Sequence, residues 1–493
     1  MLKKIYITTA IPYVNANPHL GHALEFVQAD CAARYERLQG NDVFFATGVD
    51  ENSLKNALAA EQAGRNVKEF VDEKAQVFKD FLKLFNVEIS DFIRTTDSRH
   101  LEGVKKFWLA AQKDIYQSEY EGLYCVGCED FLKEEELVDG LCSNHKIAPQ
   151  LVKEKNYFFR LSRFQKQLEE IYQNDLIQIV PPNRKQEIVS FIEGGLKDFS
   201  ISRSQERAHN WGIPVPNDPS QVIYVWFDAL CNYITILGYG SNSPLYRAWW
   251  EDPATEIWHF LGKDIAKFHC IYWPAMLLAA GVRLPNKIAI HGFITLEGDK
   301  MSKSKGNVID PLEIIKEFGV DPLRYYLLRE FSLAQDGDFS VANLRERYNK
   351  ELANGLGNLL NRVVALIEKQ GGKIKIEKNL MEKEIQNCRE KYNAALADFR
   401  FNQGAEAFLQ LISQADAFIN QNQVWAITDL AKKEELLGAL WLVLAHVADF
   451  VYPYIPETSA KIKESLGIHE EKEFLGKEFL VKRLPPLFPK LNS

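Results

Sequence analysis

The sequence predicts an α/β protein: a doubly wound parallel sheet, split by an insertion and followed by an all-α region. Three observations carry this. Short apolar runs rich in β-branched residues alternate with helical spacing over residues 1–115 and again over 225–325. The stretch between them, 116–224, is richer in turns and loops, with Pro and Gly concentrated in segments such as Trp211–Pro216. From about Leu344 onward apolar residues recur at helical spacing with no strand signal. A chain of 493 residues fits roughly three domains.

The elements follow in order. Lys4–Thr9 reads as a short strand, and Leu20–Leu38 as a helix with Gly40 just past its end. Asp42–Thr47 is an apolar run suited to a parallel strand covered on both faces, closed by Gly48. Helical patterns run through Phe85 and again from Ser98 to Gln117. Glu256–Leu261 and Lys287–Ile294 read as strands, then Pro311–Phe318 and Pro322–Arg329 as helices. The longest apolar run, Leu436–Ile455, carries His446, Asp449 and Pro453, so it reads as a buried helix rather than a membrane span.

Composition narrows the class. With 46% hydrophobic and 26% charged residues the chain is ordinary globular, not collagenous, disordered or disulfide-stapled. A net charge of −8 argues against indiscriminate nucleic-acid binding but leaves room for a local basic groove. Cys31, Cys231, Cys270 and Cys388 are scattered among apolar neighbours and read as buried thiols of a reducing compartment. Met1–Thr9 offers no apolar core of a signal peptide. A soluble, cytoplasmic protein with no membrane partner is expected.

Three motifs carry chemistry. In Asn17-Pro18-His19-Leu20-Gly21-His22, Asn17 is the expected N-cap and Pro18 the first helical residue. A helix start offers N–H groups and a positive dipole end to phosphate. His19 and His22 would share a face, with Gly21 leaving the backbone bare for a flat ring such as adenine; two ordinary surface histidines are the alternative. Gly298–Asn307 places three lysines, Lys300, Lys303 and Lys305, in a polar loop that could close over polyphosphate, or simply be solvated. No P-loop occurs in the sequence. Cys125-x2-Cys128-x13-Cys142-x2-His145 has the paired spacing of a closed, structural zinc site.

His19-Leu20-Gly21-His22 together with Lys300-Met301-Ser302-Lys303-Ser304 resembles the signature pair of class I aminoacyl-tRNA synthetases. Ala10–Asn15, Tyr224–Leu230, Gly262–His269, Trp273-Pro274 and Pro485–Lys490 extend the resemblance to the methionyl-tRNA synthetase family over essentially the whole chain. The interval from His22 to Lys300 is too short for the large editing domain of the isoleucyl, valyl and leucyl families. The cysteinyl family, with zinc at its amino-acid site, does not fit the Cys/His cluster.

The resemblance implies a Rossmann-type catalytic domain in two halves, 1–115 and 225–325. Residues 116–224 would be a connective insertion with a zinc knuckle near 121–148. A linker or stem-contact segment at 326–345 and an α-helical anticodon-binding domain at 346–493 would follow. It implies catalytic roles for His19, His22, Lys300 and Lys303. ATP would meet Gly21, Asp264 and His291 with Lys300 and Lys303. Methionine would meet Ile11, Tyr13, Asp50, Trp226, Leu230, Tyr233, Ile265, His269 and Trp273, and the anticodon Asn358, Arg362 and Trp425. It further implies Mg²⁺ with ATP, one structural Zn²⁺, and elongator and initiator tRNA(Met) as partners. A monomer is expected, with a separate tRNA-binding subunit left open. One departure stands out: Asp50-Glu51-Asn52-Ser53 occupies the place where the family often has Asp-Glu-His-Gly. Two rival classes remain at this level, a nucleotidyltransferase making a small adenylated metabolite and a non-catalytic RNA-binding relative.

Overall fold

The computed structural model describes residues 2–125, 130–132, 137–143, 146–296, 299–300, 309–469 and 473–491. The chain divides into two compact units. One comprises Met1–Pro18, Asp42–Lys83 and Glu88–Ile290; the other comprises His19–Asn41, Leu84–Val87 and His291–Ser493.

The first unit is built on a six-stranded sheet in the order Asp91–Arg94, Asp42–Val49, Lys4–Thr9, Thr255–Gly262, Lys287–His291, Gln178–Val180. Lys4–Thr9 pairs in parallel with both neighbours, Ile5 lying between Val43 and Glu256. Ile5, Tyr6 and Ile7 are all fully buried, which is why the strand reads as a continuous apolar run rather than an alternation. The strand order reverses direction between Lys4–Thr9 and Thr255–Gly262. That switch point is where doubly wound sheets hold ligands, beyond the carboxyl ends of the strands. Gly48 pairs with Ile93, and a Cβ there would come within 2.2 Å of the Ile93 carbonyl oxygen.

Two boundaries differ from expectation in this unit. The helix expected over Ser98–Gln117 ends at Ala110, and Ile115–Cys125 is a strand instead. Ile115–Tyr124 pairs one for one with Gln150–Phe159 in a long antiparallel ladder, so a partner far along the chain overrides the local helical spacing. This ladder is the centre of a four-stranded sheet with Phe199–Ser200 and Asp130–Leu132. The strand expected to reach Ile294 stops at His291. Ile294–Leu296 belongs to a separate small sheet with Asp299–Lys300 and Gly337–Asp338.

The second unit is mainly helical. Leu20–Leu38, Val320–Glu330, Phe401–Gln421, Leu430–Val451 and Pro456–Leu466 are among its helices. Leu436–Val451 is buried almost throughout, and among the described residues no helix is long and apolar enough to cross a membrane. The region beyond Leu344 is not wholly helical as expected. Lys373–Lys375 pairs antiparallel with Glu478–Leu480, two strands too short to leave a periodic trace in sequence. A fully buried ion cluster ties this unit together. Asp30 Oδ2 accepts from Arg34 Nε at 2.8 Å and from Arg324 Nη2 at 2.6 Å. Arg324 also donates to the carbonyls of Phe85, Pro453 and Tyr454.

Candidate active site

The Leu20–Leu38 helix keeps its expected bounds, but its cap lies two residues later than the motif suggests. The N-cap is His19, not Asn17. His19 Nδ1 accepts from the Gly21 N–H at 3.1 Å, and His22 Nδ1 accepts from the His19 N–H at 3.1 Å. The two imidazoles thus form a reciprocal capping box, a role usually taken by Ser or Thr with Glu. They stack with ring centroids 3.9 Å apart. A Cβ at Gly21 would lie 2.9 Å from His19 Cε1, so a larger residue there would have to displace the His19 ring. In the same unit His291 is buried, its Nδ1 2.7 Å from the Gly292 carbonyl and its Nε2 3.1 Å from the Glu25 carboxylate on the helix that His19 opens. Lys300 lies on the strand paired to Thr295; Lys303 lies outside the described residues.

The amino-acid candidates all fall in the first unit. Tyr13 forms a parallel bridge to Asp50, whose N–H donates to the Pro12 carbonyl at 2.9 Å, so the loop after the first strand is tied to the end of the second. Asp50 is buried, and its Oδ1 accepts the Asn52 N–H at 3.1 Å. Trp226, Tyr233, His269 and Trp273 converge. Trp226 stacks on Phe268 with centroids 3.8 Å apart, and the Tyr233 ring lies 5.7 Å from His269 and 5.9 Å from Trp273. Leu230 is fully buried, with Ile11 and Ile265 packed against the same core.

The protonation state of this cluster follows from geometry. His269 Nδ1 is 2.9 Å from the Ile265 carbonyl, which can only accept, so that nitrogen carries the proton. Nε2 therefore accepts from the Tyr233 hydroxyl at 2.7 Å. Burial brings the His269 pKa down to about 4, so the ring is neutral. The buried indole N–H groups of Trp226 and Trp273 have no hydrogen-bond partner among the described residues.

The class I tRNA synthetase (M) family model matches residues 5–148 and 132–364. A methionine–tRNA ligase of Caldanaerobacter subterraneus subsp. tengcongensis is 42% identical, over 100% of this chain and 80% of that protein. The chain belongs to the methionine–tRNA ligase family of class I synthetases. The corresponding ligase of Thermotoga maritima is 38% identical, over 99% of this chain and 81% of its own length. A solved methionyl-tRNA synthetase of Mycobacterium tuberculosis, in complex with methionyl-adenylate, superposes with a TM-score of 0.92 at 35% identity, covering 99% of this chain and 100% of that one.

Within this methionine–tRNA ligase fold, sequence reasoning missed a polar network behind Asp50. Asn52 Nδ2 donates to Asp228 Oδ2 at 2.8 Å and to the Thr95 carbonyl at 3.1 Å. Asp228 Oδ1 lies 2.6 Å from His100 Nε2, both residues being fully buried, and His100 Nδ1 is 2.7 Å from Thr235 Oγ1. Ser53 caps the helix Leu54–Gln62. The departure at Asn52-Ser53 is therefore built into the fold: an amide bridges two acceptors and a hydroxyl caps a helix. Glu51 accepts from Arg94 and Thr96, while burial holds its carboxyl above the ordinary range. The signal that could have found Asp228 is its place inside Tyr224–Leu230, a segment already quoted for its tryptophan.

The remaining candidates are dispersed. Asp264 is exposed in the short turn Lys263–Ile265 of the first unit. Cys125 and Cys142 are buried at two strand ends; Cys128 and His145 lie outside the described residues. Asn358 is exposed at the start of the helix Asn358–Glu368. Arg362 on that helix donates to Asp416 at 2.7 Å and to Asn420 at 2.9 Å, both near the end of Phe401–Gln421. Trp425 follows just beyond and is 52% exposed, not a core residue.

Proposed function

We propose that the chain activates L-methionine with ATP and transfers it to tRNA(Met), and that the residues above divide the work as follows. The observation that carries the reading is a neutral aromatic cluster, Trp226, Tyr233, His269 and Trp273, in one unit with a buried carboxylate just past a strand end, Asp50. A thioether has no strong hydrogen-bonding handle and is best recognised by rings and weak donors, with sulfur–ring contacts worth ~0.3–1.5 kcal/mol each. Keeping His269 uncharged keeps that environment apolar. Asp50, oriented by the Asn52 N–H, is the partner for the substrate ammonium. Ile11, Tyr13, Leu230 and Ile265 complete the walls.

In the first step a methionine carboxylate oxygen attacks the α-phosphorus of ATP in line, and the bond to the β-phosphate oxygen breaks, releasing pyrophosphate. In the second, a ribose hydroxyl of the terminal adenosine attacks the acyl carbon and AMP leaves. Such phosphoryl chemistry is chiefly positioning and charge neutralisation. His19, His22, Lys300 and Lys303 supply it, with Gly21, Asp264 and His291 on the nucleotide. Mg²⁺ arriving with ATP supplies further neutralisation at the phosphates.

Cys125, Cys128, Cys142 and His145 would hold one zinc ion. Three thiols and an imidazole suit tetrahedral zinc, and the two described cysteines are buried. The ion would stiffen the insertion, 116–224, between the catalytic halves 1–115 and 225–325. Residues 326–345 contact the stem, and the helices of 346–493 read the anticodon of elongator and initiator tRNA(Met). Exposed Trp425 is available for stacking, and Arg362 is held in place by Asp416 and Asn420. The enzyme acts in the cytoplasm as a monomer, with room for a separate tRNA-binding subunit.

ATP–pyrophosphate exchange with Mg²⁺ and no tRNA, run against each standard amino acid in turn, tests the reading. Methionine alone should drive exchange. Exchange with a different amino acid would discard the pocket, and no exchange would discard the activation step.

A further inference from the structure

Two buried ionisable side chains of the first unit have no part in the chemistry described so far. His100 and Asp228 are both fully buried, with Nε2 2.6 Å from Oδ1. The carboxylate only accepts, so Nε2 carries the proton. The other oxygen, Asp228 Oδ2, accepts from the Asn52 amide at 2.8 Å. A buried pair of this kind adds little net stability over apolar packing. What it adds here is direction. The Asn52 Nδ2 group meets two acceptors, Asp228 Oδ2 and the Thr95 carbonyl, so its amide sits one way round with both N–H bonds engaged. That fixes the main chain of Asn52, whose own N–H donates to Asp50 Oδ1 at 3.1 Å. The rest of the turn is held as well: Thr95 Oγ1 accepts the Glu51 N–H at 2.8 Å, and Asn56 Nδ2 donates to the Asp50 carbonyl at 2.9 Å.

We infer that His100, Asp228 and Asn52 are positioning residues for amino-acid recognition: a relay that holds the Asp50 carboxylate toward the substrate ammonium and ties it to the helix that walls the thioether. The inference rests on the ammonium role proposed above for Asp50. Asp228 lies on the short helix Val225–Leu230, midway between Trp226 and Leu230. Those two are four residues apart and share a face, which leaves Asp228 on the opposite one. One helix therefore carries two walls of the thioether end and, on its far side, the carboxylate that reaches Asn52. His100 holds that carboxylate from the helix Ser98–Ala110, and its Nδ1 lies 2.7 Å from Thr235 Oγ1. Three elements are thus joined behind the site by groups that accept or donate in fixed directions. Catalytic and binding geometry depends on such support, because a recognising group loosened by about an ångström loses much of its value.

The test uses the full chain in ATP–pyrophosphate exchange, with two competitors that differ only in the ammonium: the amino alcohol corresponding to methionine, and the same alcohol lacking its amino group. Asn52→Leu, Asp228→Asn and His100→Leu should each weaken the amino alcohol about tenfold, the scale of one misaligned hydrogen bond to a charged group. Binding of the plain alcohol should stay as in wild type. KM for methionine should rise in step with the amino alcohol, and KM for ATP should not move. His100→Gln, whose amide keeps a donor for Asp228, should stay near wild type. Asn52 is only half-buried, so Asn52→Leu keeps the test open should a variant of the buried pair fail to fold. Wild-type affinity for the amino alcohol in Asn52→Leu would overturn the relay. Equal weakening of both alcohols would overturn it too, since that is loss of the walls and not of the ammonium contact. An Asp50→Asn variant that binds the amino alcohol like wild type would instead overturn the ammonium role on which the inference rests.

Discussion

His19 is asked to do two things with one ring. Its Nδ1 caps the helix by accepting the Gly21 N–H, so the phosphate chemistry proposed for it falls to Nε2. The two roles separate by substitution. Asparagine is among the best N-caps, whereas alanine forfeits the cap and about 1 kcal/mol of stability. His19→Asn should therefore melt like wild type and His19→Ala somewhat lower. Both should lose ~10²–10³-fold in exchange rate, the scale of one missing preorganised donor. An active His19→Asn would show that the imidazole only caps. The sequence placed both histidines at a helix start but set the cap at Asn17. Asn-Pro is the stronger statistical start, and what decides the cap is which side chain reaches back to an N–H. Asp228 and His100 escaped for a related reason. Asp228 is a lone polar residue in an apolar stretch and His100 is one of several polar residues in its own, and only the fold brings them 2.6 Å apart.

At the scale of elements, what could be read was whatever is written locally. Lys4–Thr9, Leu20–Leu38 and Pro311–Phe318 keep their expected bounds because each carries its own periodicity and stop signals. Ile115–Cys125 did not, because its strand character comes from pairing with Gln150–Phe159. Gly48 shows how much one residue can carry within an element. The strand Asp42–Val49 approaches Asp91–Arg94 so closely there that any Cβ would collide with a backbone carbonyl, which cannot swing aside as a side-chain tip could. Gly48→Ala should cost about 1–3 kcal/mol, the usual range for overpacking, visible as a lower urea midpoint. Because Asp50 lies two residues on, the displaced strand end should also raise the KM for methionine more than that for ATP. A variant with lowered stability and unaltered KM values would separate the strand's packing from the placement of Asp50.

At the scale of the molecule, the helix bearing His19 and His22 belongs with the C-terminal half of the chain. Its attachment there is electrostatic as well as apolar. Asp30 lies on that helix; Arg324 lies on Val320–Glu330 and spends its remaining donors on the carbonyls of Phe85, Pro453 and Tyr454. Such a cluster adds little net stability over a well-packed apolar one, but removing a single partner strands the rest in a dry interior, at about 3–5 kcal/mol. Arg324→Ala leaves Asp30 with Arg34 and removes the donor from three buried carbonyls. Arg324→Lys keeps the charge but cannot reproduce a planar fork that reaches five acceptors, so it should rescue only part of the loss. The expected order of denaturation midpoints is wild type, then Arg324→Lys, then Arg324→Ala. Exchange activity should fall in the same order, because the helix that presents His19 and His22 loses its anchor. Equal midpoints for lysine and wild type would mean that charge alone holds the helix. A drop in midpoint with full exchange activity would mean that the anchor serves the bundle and not the catalytic histidines.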